Sequence, residues 1–238
     1  MVEEAEARGV PVQIGHHRRH SPIIAAAKDT IARGELGNIV SVTGQFWLYK
    51  PEAYFAEKWR TTTGAGPVFI NLIHDIDLLR HLCGEIIAVQ AMESRRIRGL
   101  GVEDTACVLM EFESGALGTF TGSDTIVAPW SWEFSAAENP AYPHVPGRCY
   151  AIGGTWASLS VPDLGLWRHE TERGWWEPTS ETRLKRDTGD AFELQFRHFL
   201  DVVRGRSPPL PDAWDALRSL LVTEAIKAAA SERRQIAL

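Results

Sequence analysis

The 238-residue sequence contains only three cysteines, at positions 83, 107 and 149. They are odd in number, far apart, and each lies in an apolar run (RHLCG, TACVLM, RCYAI). A secreted disulfide framework needs paired cysteines, so the expectation is buried free thiols in a reducing compartment. No stretch approaches the roughly 18 uncharged apolar residues of a membrane-crossing helix. The first twenty residues, MVEEAEARGVPVQIGHHRRH, also lack the apolar core of a signal peptide. A cytoplasmic chain with no membrane partner is expected. Basic charge is scarce too: 25 Lys and Arg stand against 31 Asp and Glu, for a formal net charge of −6. Phosphate backbones require an excess of Lys and Arg on one face, so no nucleic-acid partner is expected. A Walker loop and a GxSxG elbow are absent, and Gly99-Leu100-Gly101 fails as a dinucleotide fingerprint because it lacks the third glycine and no helix follows.

What is present is an ordinary globular composition, 44% hydrophobic and 24% charged, which supports a sizeable core in one large or two small domains. Val2 to Arg8 reads as a helix end with Gly9 as its stop, and Val10 to Ile14 as a short buried strand. One such turn and one strand cannot form a core, so residues 1–20 look like the last αβ unit of another domain. Ser21-Pro22 opens a helix that Gly34 stops, and NIVSVTGQFWLY, 38–49, alternates as a strand. Residues 50–63 read as a loop, and Pro67 to Leu82 is apolar at helical spacing with Gly84 as its cap. From Ile86 to about Leu166 the segments are short and strand-like, SWEFSAA among them, and the Ser114-Gly115 turn predicts an antiparallel hairpin. Residues 134–150 hold three prolines and read as a loop. Helices over 190–204 and 212–231 close the chain, with Gly205 and the Pro208-Pro209 pair between them. The expectation is an α+β fold: an open, mainly antiparallel sheet over 21–238 with helices packed on one face, preceded by the 1–20 remnant.

One helix carries polar residues where apolar ones prevail. At 100° per residue His74 lies about 60° from Asn71 and about 60° from Asp77, one polar stripe among Val68, Phe69, Leu72, Ile73 and Ile76. Such a stripe requires partners. It is either a satisfied core histidine with a helix-facing carboxylate, or a general base oriented by a neighbouring acid. HHRRH, 16–20, follows the first strand. Three histidines invite a metal reading, but no Cys, Asp or Glu in the same turn completes a zinc set and no HExxH is present, so an anion or hydroxyl clamp by Arg18 or Arg19 fits better. Nine tryptophans (47, 59, 130, 132, 156, 167, 175, 176 and 214) are assigned by default to core and sheet-face packing.

Five segments in this order resemble the carboxy-terminal part of the Gfo/Idh/MocA oxidoreductases, the glucose-fructose oxidoreductase and inositol dehydrogenase family. They are GVPVQIGHHRRHSPIIAAAKDTIARGELGNIVSV, GAGPVFINLIHDIDLLRHLCGE, VEDTACVLMEFESGALGTF, GGTWASLSV and ELQFRHFLDVVRGRSPPLPDAWDALRSLLVTEAI. The resemblance implies a two-domain enzyme with a Rossmann domain holding NAD or NADP, and a sheet domain for substrate and oligomer contacts. It implies His74 as the residue taking a hydroxyl proton, with His17, Arg18, Asn71 and Asp77 at the substrate, a sugar, cyclitol or related polyol. The family's polyol dehydrogenases usually carry an aspartate four residues before the histidine, and Ile70 stands there. The glycine-rich loop and the Glu-Lys-Pro segment with its catalytic lysine have no counterpart in these 238 residues. The chain alone is therefore expected to bind no dinucleotide and to be silent, with a non-catalytic oligomerisation or ligand-binding module as the alternative. No cofactor-binding or metal-binding residue is assigned.

Overall fold

β-Branched residues alternating with small ones set one long strand, β1 (Ile39–Trp47), and the computed structural model, which describes residues 2–238, places it near the middle of a nine-stranded sheet. Before it come α1 (Val2–Ala7), a 3₁₀ turn at His17–His20, and α2 (Pro22–Ala32); after it, two further 3₁₀ turns lead to a π-helical turn, Val68–Leu72, that runs straight into α3 (Ile73–Cys83). Then follow β2 (Ile86–Ser94), β3 (Thr105–Phe112), β4 (Leu117–Ser123), the short α4 (Trp132–Ser135), β5 (Tyr150–Gly154), β6 (Ala157–Val161), β7 (Gly165–His169), β8 (Thr179–Arg183), α5 (Ala191–Val203), α6 (Ala213–Glu232) and β9 (Ile236–Ala237).

The sheet order is β8-β7-β6-β5-β1-β4-β3-β2-β9, and only β1 with β4 is parallel. The predicted hairpin is β3 with β4, Thr105 facing Ser123. Inward residues Val42, Phe46, Val108, Met110, Phe112, Phe120 and Ile152 meet Ile23 and Ile24 of α2, Ile76 and Leu79 of α3, and Val222 and Ile226 of α6 in one core. Each fully buried side chain of this size contributes about 1.5–3 kcal/mol of transfer free energy. Outward residues on the same strands, among them Met92, Leu109 and Leu117, remain exposed, so the helices cover a single face. Helix starts obey local chemistry: Ser21, Asp190 and Asp212 accept backbone N–H groups of Ile23, Glu193 and Asp215.

Several segments differ from their sequence patterns. Val10 to Ile14 is no strand and is not buried; its one ladder contact is an isolated bridge from Gln13 to Asp212, because among the described residues no neighbouring strand completes the pairing. SWEFSAA turns into α4, with Trp132 in the core. The sheet also continues past Leu166 through β7 and β8, where charged residues mask the strand pattern. Cys83 and Cys149 are buried free thiols as expected, but Cys107 lies on the open face of β3 and is exposed. Tryptophan burial is the exception, not the default: Trp132 is in the core, whereas Trp59, Trp130, Trp156, Trp167, Trp175, Trp176 and Trp214 are all exposed.

Candidate active site

The site begins at Gly66. Its φ of +90° suits glycine, and a Cβ there would stand 2.4 Å from a Glu103 carboxylate oxygen. That closeness lets Glu103 accept the N–H of Val68 at 3.0 Å and fix the first turn of the π segment. π turns interrupt regular α-helical geometry and recur at functional sites. Here the turn carries Ile70 and Asn71 to the wall of a cavity of about 210 Å³, and His74, one turn on in α3, joins them. His17 and Arg18 from the 3₁₀ turn, Trp132 and Glu133 from α4, and Phe192 from α5 complete the part of the lining that bears on chemistry.

Four of the five residues expected at the site thus border one cavity: His74, His17, Arg18 and Asn71. Asp77 does not. Its two oxygens receive Arg19 at 2.7 and 2.8 Å and Ser219 at 2.9 Å, and it is 1% exposed, so it faces the α3–α6 seam and not the crevice. Arg18 borders the cavity, but its guanidinium is bound to Asp75 at 3.0 Å and Glu133 at 2.8 Å and lies over the Trp132 ring. Tyr150 donates to the same Asp75 oxygen. Arg18 therefore fixes the floor of the site, and a free anion clamp is not what its partners leave. The three histidines of HHRRH diverge. The His16 ring approaches Asp77, His17 stacks on Phe192 at 4.1 Å between centroids, and His20 bonds the Leu210 carbonyl. Among the described residues no three His, Cys, Asp or Glu side chains converge as a metal set.

His74 packs edge-on against His16 and His17, at 5.7 and 5.9 Å between centroids. Its Nδ1 is sealed and has no hydrogen-bond partner, which leaves Nε2 as the nitrogen a ligand reaches. Burial, then the charge of Arg18 and the neighbouring His16 and His17, push its pKa down to about 3, so the ring is neutral at pH 7. A neutral imidazole is a proton acceptor. Burial likewise pushes the Asp75 carboxyl up to about 6, against the opposing pull of Arg18.

Sequence reading missed Lys50, Trp132 and Glu133. Lys50 is 6% exposed and donates to Asn71 Oδ1 at 2.7 Å. A lone lysine closing the apolar run FWLY was its only signal. A larger cleft of about 500 Å³ lies elsewhere, but its central cation, Lys227, is already held by Glu93 and Glu103, and no histidine borders it. The smaller cavity is the one with an unused base.

Among the described residues no glycine turn joins a parallel strand to a helix start, the arrangement that seats a pyrophosphate. Gly99 and Gly101 sit in the loop ahead of β3. These residues do not fit a dinucleotide.

An open, mainly antiparallel sheet with helices on one face and a histidine at the wall of a small cavity defines an α+β domain. The chain belongs to the Gfo/Idh/MocA oxidoreductase family: residues 28–238 match the sequence model described as "Oxidoreductase family, C-terminal alpha/beta domain". Scyllo-inositol 2-dehydrogenase (NAD(+)) of Bacillus subtilis is 28% identical over 236 residues, covering 92% of this chain and 60% of its own length. Myo-inositol 2-dehydrogenase of Thermotoga maritima is 23% identical, covering 100% of this chain and 67% of its own. Among solved structures, the WlbA dehydrogenase from Bordetella pertussis in complex with NADH and UDP-GlcNAcA shares the fold, with a TM-score of 0.74 at 21% identity over 100% of this chain and 66% of that one.

Proposed function

We propose that this chain is the substrate-binding and catalytic part of an NAD(P)-dependent oxidoreductase that acts on a CH–OH group of a sugar, cyclitol or related polyol. Residues 1–20 are then the end of a dinucleotide-binding domain, and 21–238 the substrate and self-association domain. The observation that carries the reading is the neutral His74 imidazole at the wall of a cavity sized for a small molecule. An alcohol is too weak an acid to ionise alone at pH 7, so its oxidation requires a positioned acceptor, worth about 10²- to 10⁴-fold. The family membership and the polyol names of the relatives support the substrate class.

Each residue then has a task. His74 takes the hydroxyl proton through Nε2. His17, pinned by Phe192, and Asn71 contact the substrate, and Arg18 holds Glu133 and Asp75 in place behind it. Asp77 acts at one remove, by tying α3 to Arg19 and to Ser219 of α6. Hydride acceptance belongs to a dinucleotide for which the described residues offer no cradle. The test is His74→Ala in the assembled enzyme: turnover drops at least about 10²-fold while KM moves little. Unchanged turnover removes His74 as the base and leaves the chain as a binding module.

A further inference from the structure

The orientation of the Asn71 carboxamide is dictated from behind by a cation. Lys50 is buried, its ammonium has donors and no acceptor, and it lies 2.7 Å from Asn71. Only the carbonyl oxygen of the amide can face it. Lys50 itself does not border the cavity that Asn71 shares with His74, and with the carbonyl oxygen turned to the ammonium the NH₂ is the end of the amide left free for that cavity. Nothing among the described hydrogen bonds engages that NH₂.

The lysine is held to this task. Its own N–H donates to the Asp124 carbonyl at 2.9 Å, and its carbonyl accepts from Arg98 at 2.7 Å. Arg98 in turn binds the Asp124 side chain at 2.7 Å and Glu52 at 2.8 Å, over the Phe55 ring. The Tyr54 ring lies 4.8 Å from the ammonium and limits where it can swing.

We propose that Lys50 is a positioning residue that locks Asn71 with its NH₂ toward the cavity, so that Asn71 donates a hydrogen bond to the same substrate oxygen whose proton His74 accepts. The proposal rests on the oxidoreductase reading and adds a second group to it. The pairing is directional: a hydroxyl between these two residues donates to the imidazole and accepts from the amide. As the proton leaves, charge grows on the oxygen, and a preorganised donor strengthens at that moment. The carbonyl product keeps the bond, because its oxygen still accepts.

The arrangement is also pH-sensitive. Burial lowers the Lys50 pKa to about 8; Asp124 and Glu133 oppose the shift, while Arg98 and Arg60 add to it. A neutral amine both donates and accepts, so above that pH it no longer dictates which end of the amide it meets.

Two measurements decide the matter. In ¹⁵N–¹H spectra of the 238-residue chain, the Asn71 side-chain NH₂ pair is expected to shift with a midpoint near pH 8, and Lys50→Met abolishes that transition. In the assembled enzyme, Lys50→Met lowers kcat about tenfold or more with KM within about threefold, and removes an alkaline limb of kcat. Asn71→Asp, which keeps a partner for Lys50 but loses the donor, lowers kcat in the same way. Asn71 signals indifferent to Lys50→Met, or a raised KM at unchanged kcat, would overturn the proposal. The spectra do not depend on turnover, so a failure of His74→Ala to reduce activity would sink the oxidoreductase reading without touching the Lys50 result.

Discussion

Arg19 grips both oxygens of Asp77, through Nε at 2.8 Å and Nη2 at 2.7 Å, with neither side chain open to solvent. The grip ties the 3₁₀ turn that bears His17 and Arg18 to the helix that bears His74. Ser219 adds α6 from the other side, and Arg80 reaches the same serine at 2.7 Å. The two walls of the cavity are thus set at a fixed separation by charges outside it.

Asp77→Ala should accordingly act on the fold. It leaves Arg19 buried with only Asp215, and loss of one partner from a buried pair typically costs about 3–5 kcal/mol. Urea denaturation of the isolated chain measures this. A variant with wild-type stability but a raised KM would place Asp77 at the substrate after all.

Stability should fall on acidification. Burial holds the folded-state pKa of His74 at about 3 and of His17 and His81 at about 4, and lowers those of His16 and His20. The unfolded chain protonates these rings near 6.5, so below that pH it binds more protons at the five rings than the folded chain does, while the raised Asp75 carboxyl takes up its proton in the folded state and offsets part of the loss. Stability is present above about 6.5 and is lost progressively toward the folded values. We expect Tm to be lower by about 5 °C or more at pH 5 than at pH 7. A flat Tm across that interval would contradict neutral burial of these rings.

Fluorescence titration of the 238-residue chain with NADH or NADPH should show no tight binding, because no described residues form a pyrophosphate cradle. Saturation at micromolar dinucleotide would refute this and relocate the cofactor site.

The open sheet face should pair with a second copy. Met92 is 77% exposed, Leu117 61% and Leu109 54%, on adjacent strands beside an apolar groove of about 300 Å³. Such a contiguous apolar patch marks an interface. Gel filtration at micromolar concentration is expected to give more than the 26.5 kDa of one chain, and Leu109→Lys to reduce it to one. A clean monomer in the wild type would reject the pairing.

Much of this molecule was legible from local pattern. Alternation fixed β1 and the β3–β4 hairpin, capping residues marked the starts of α2, α5 and α6, and a histidine in an apolar helix pointed to the wall of the cavity. These are short-range effects, decided within a turn or between adjacent strands. SWEFSAA and Val10 to Ile14 went otherwise because strand formation depends on a neighbour, which the local sequence does not specify. The tryptophans went otherwise because most of them stand in turns, loops and helix starts outside the sheet, and a residue type does not say which element will carry it.

The sequence by itself determined an apolar helix that carries His74 and set Asn71 and Asp77 three positions to either side of it. Tertiary structure alone decided that Asn71 borders the cavity while Asp77 is bound to Arg19, 58 positions away, and that Lys50 stands behind the amide. The reason is physical: a buried charge takes the partner that long-range packing brings within 3 Å, and no periodicity along the chain encodes which one that is.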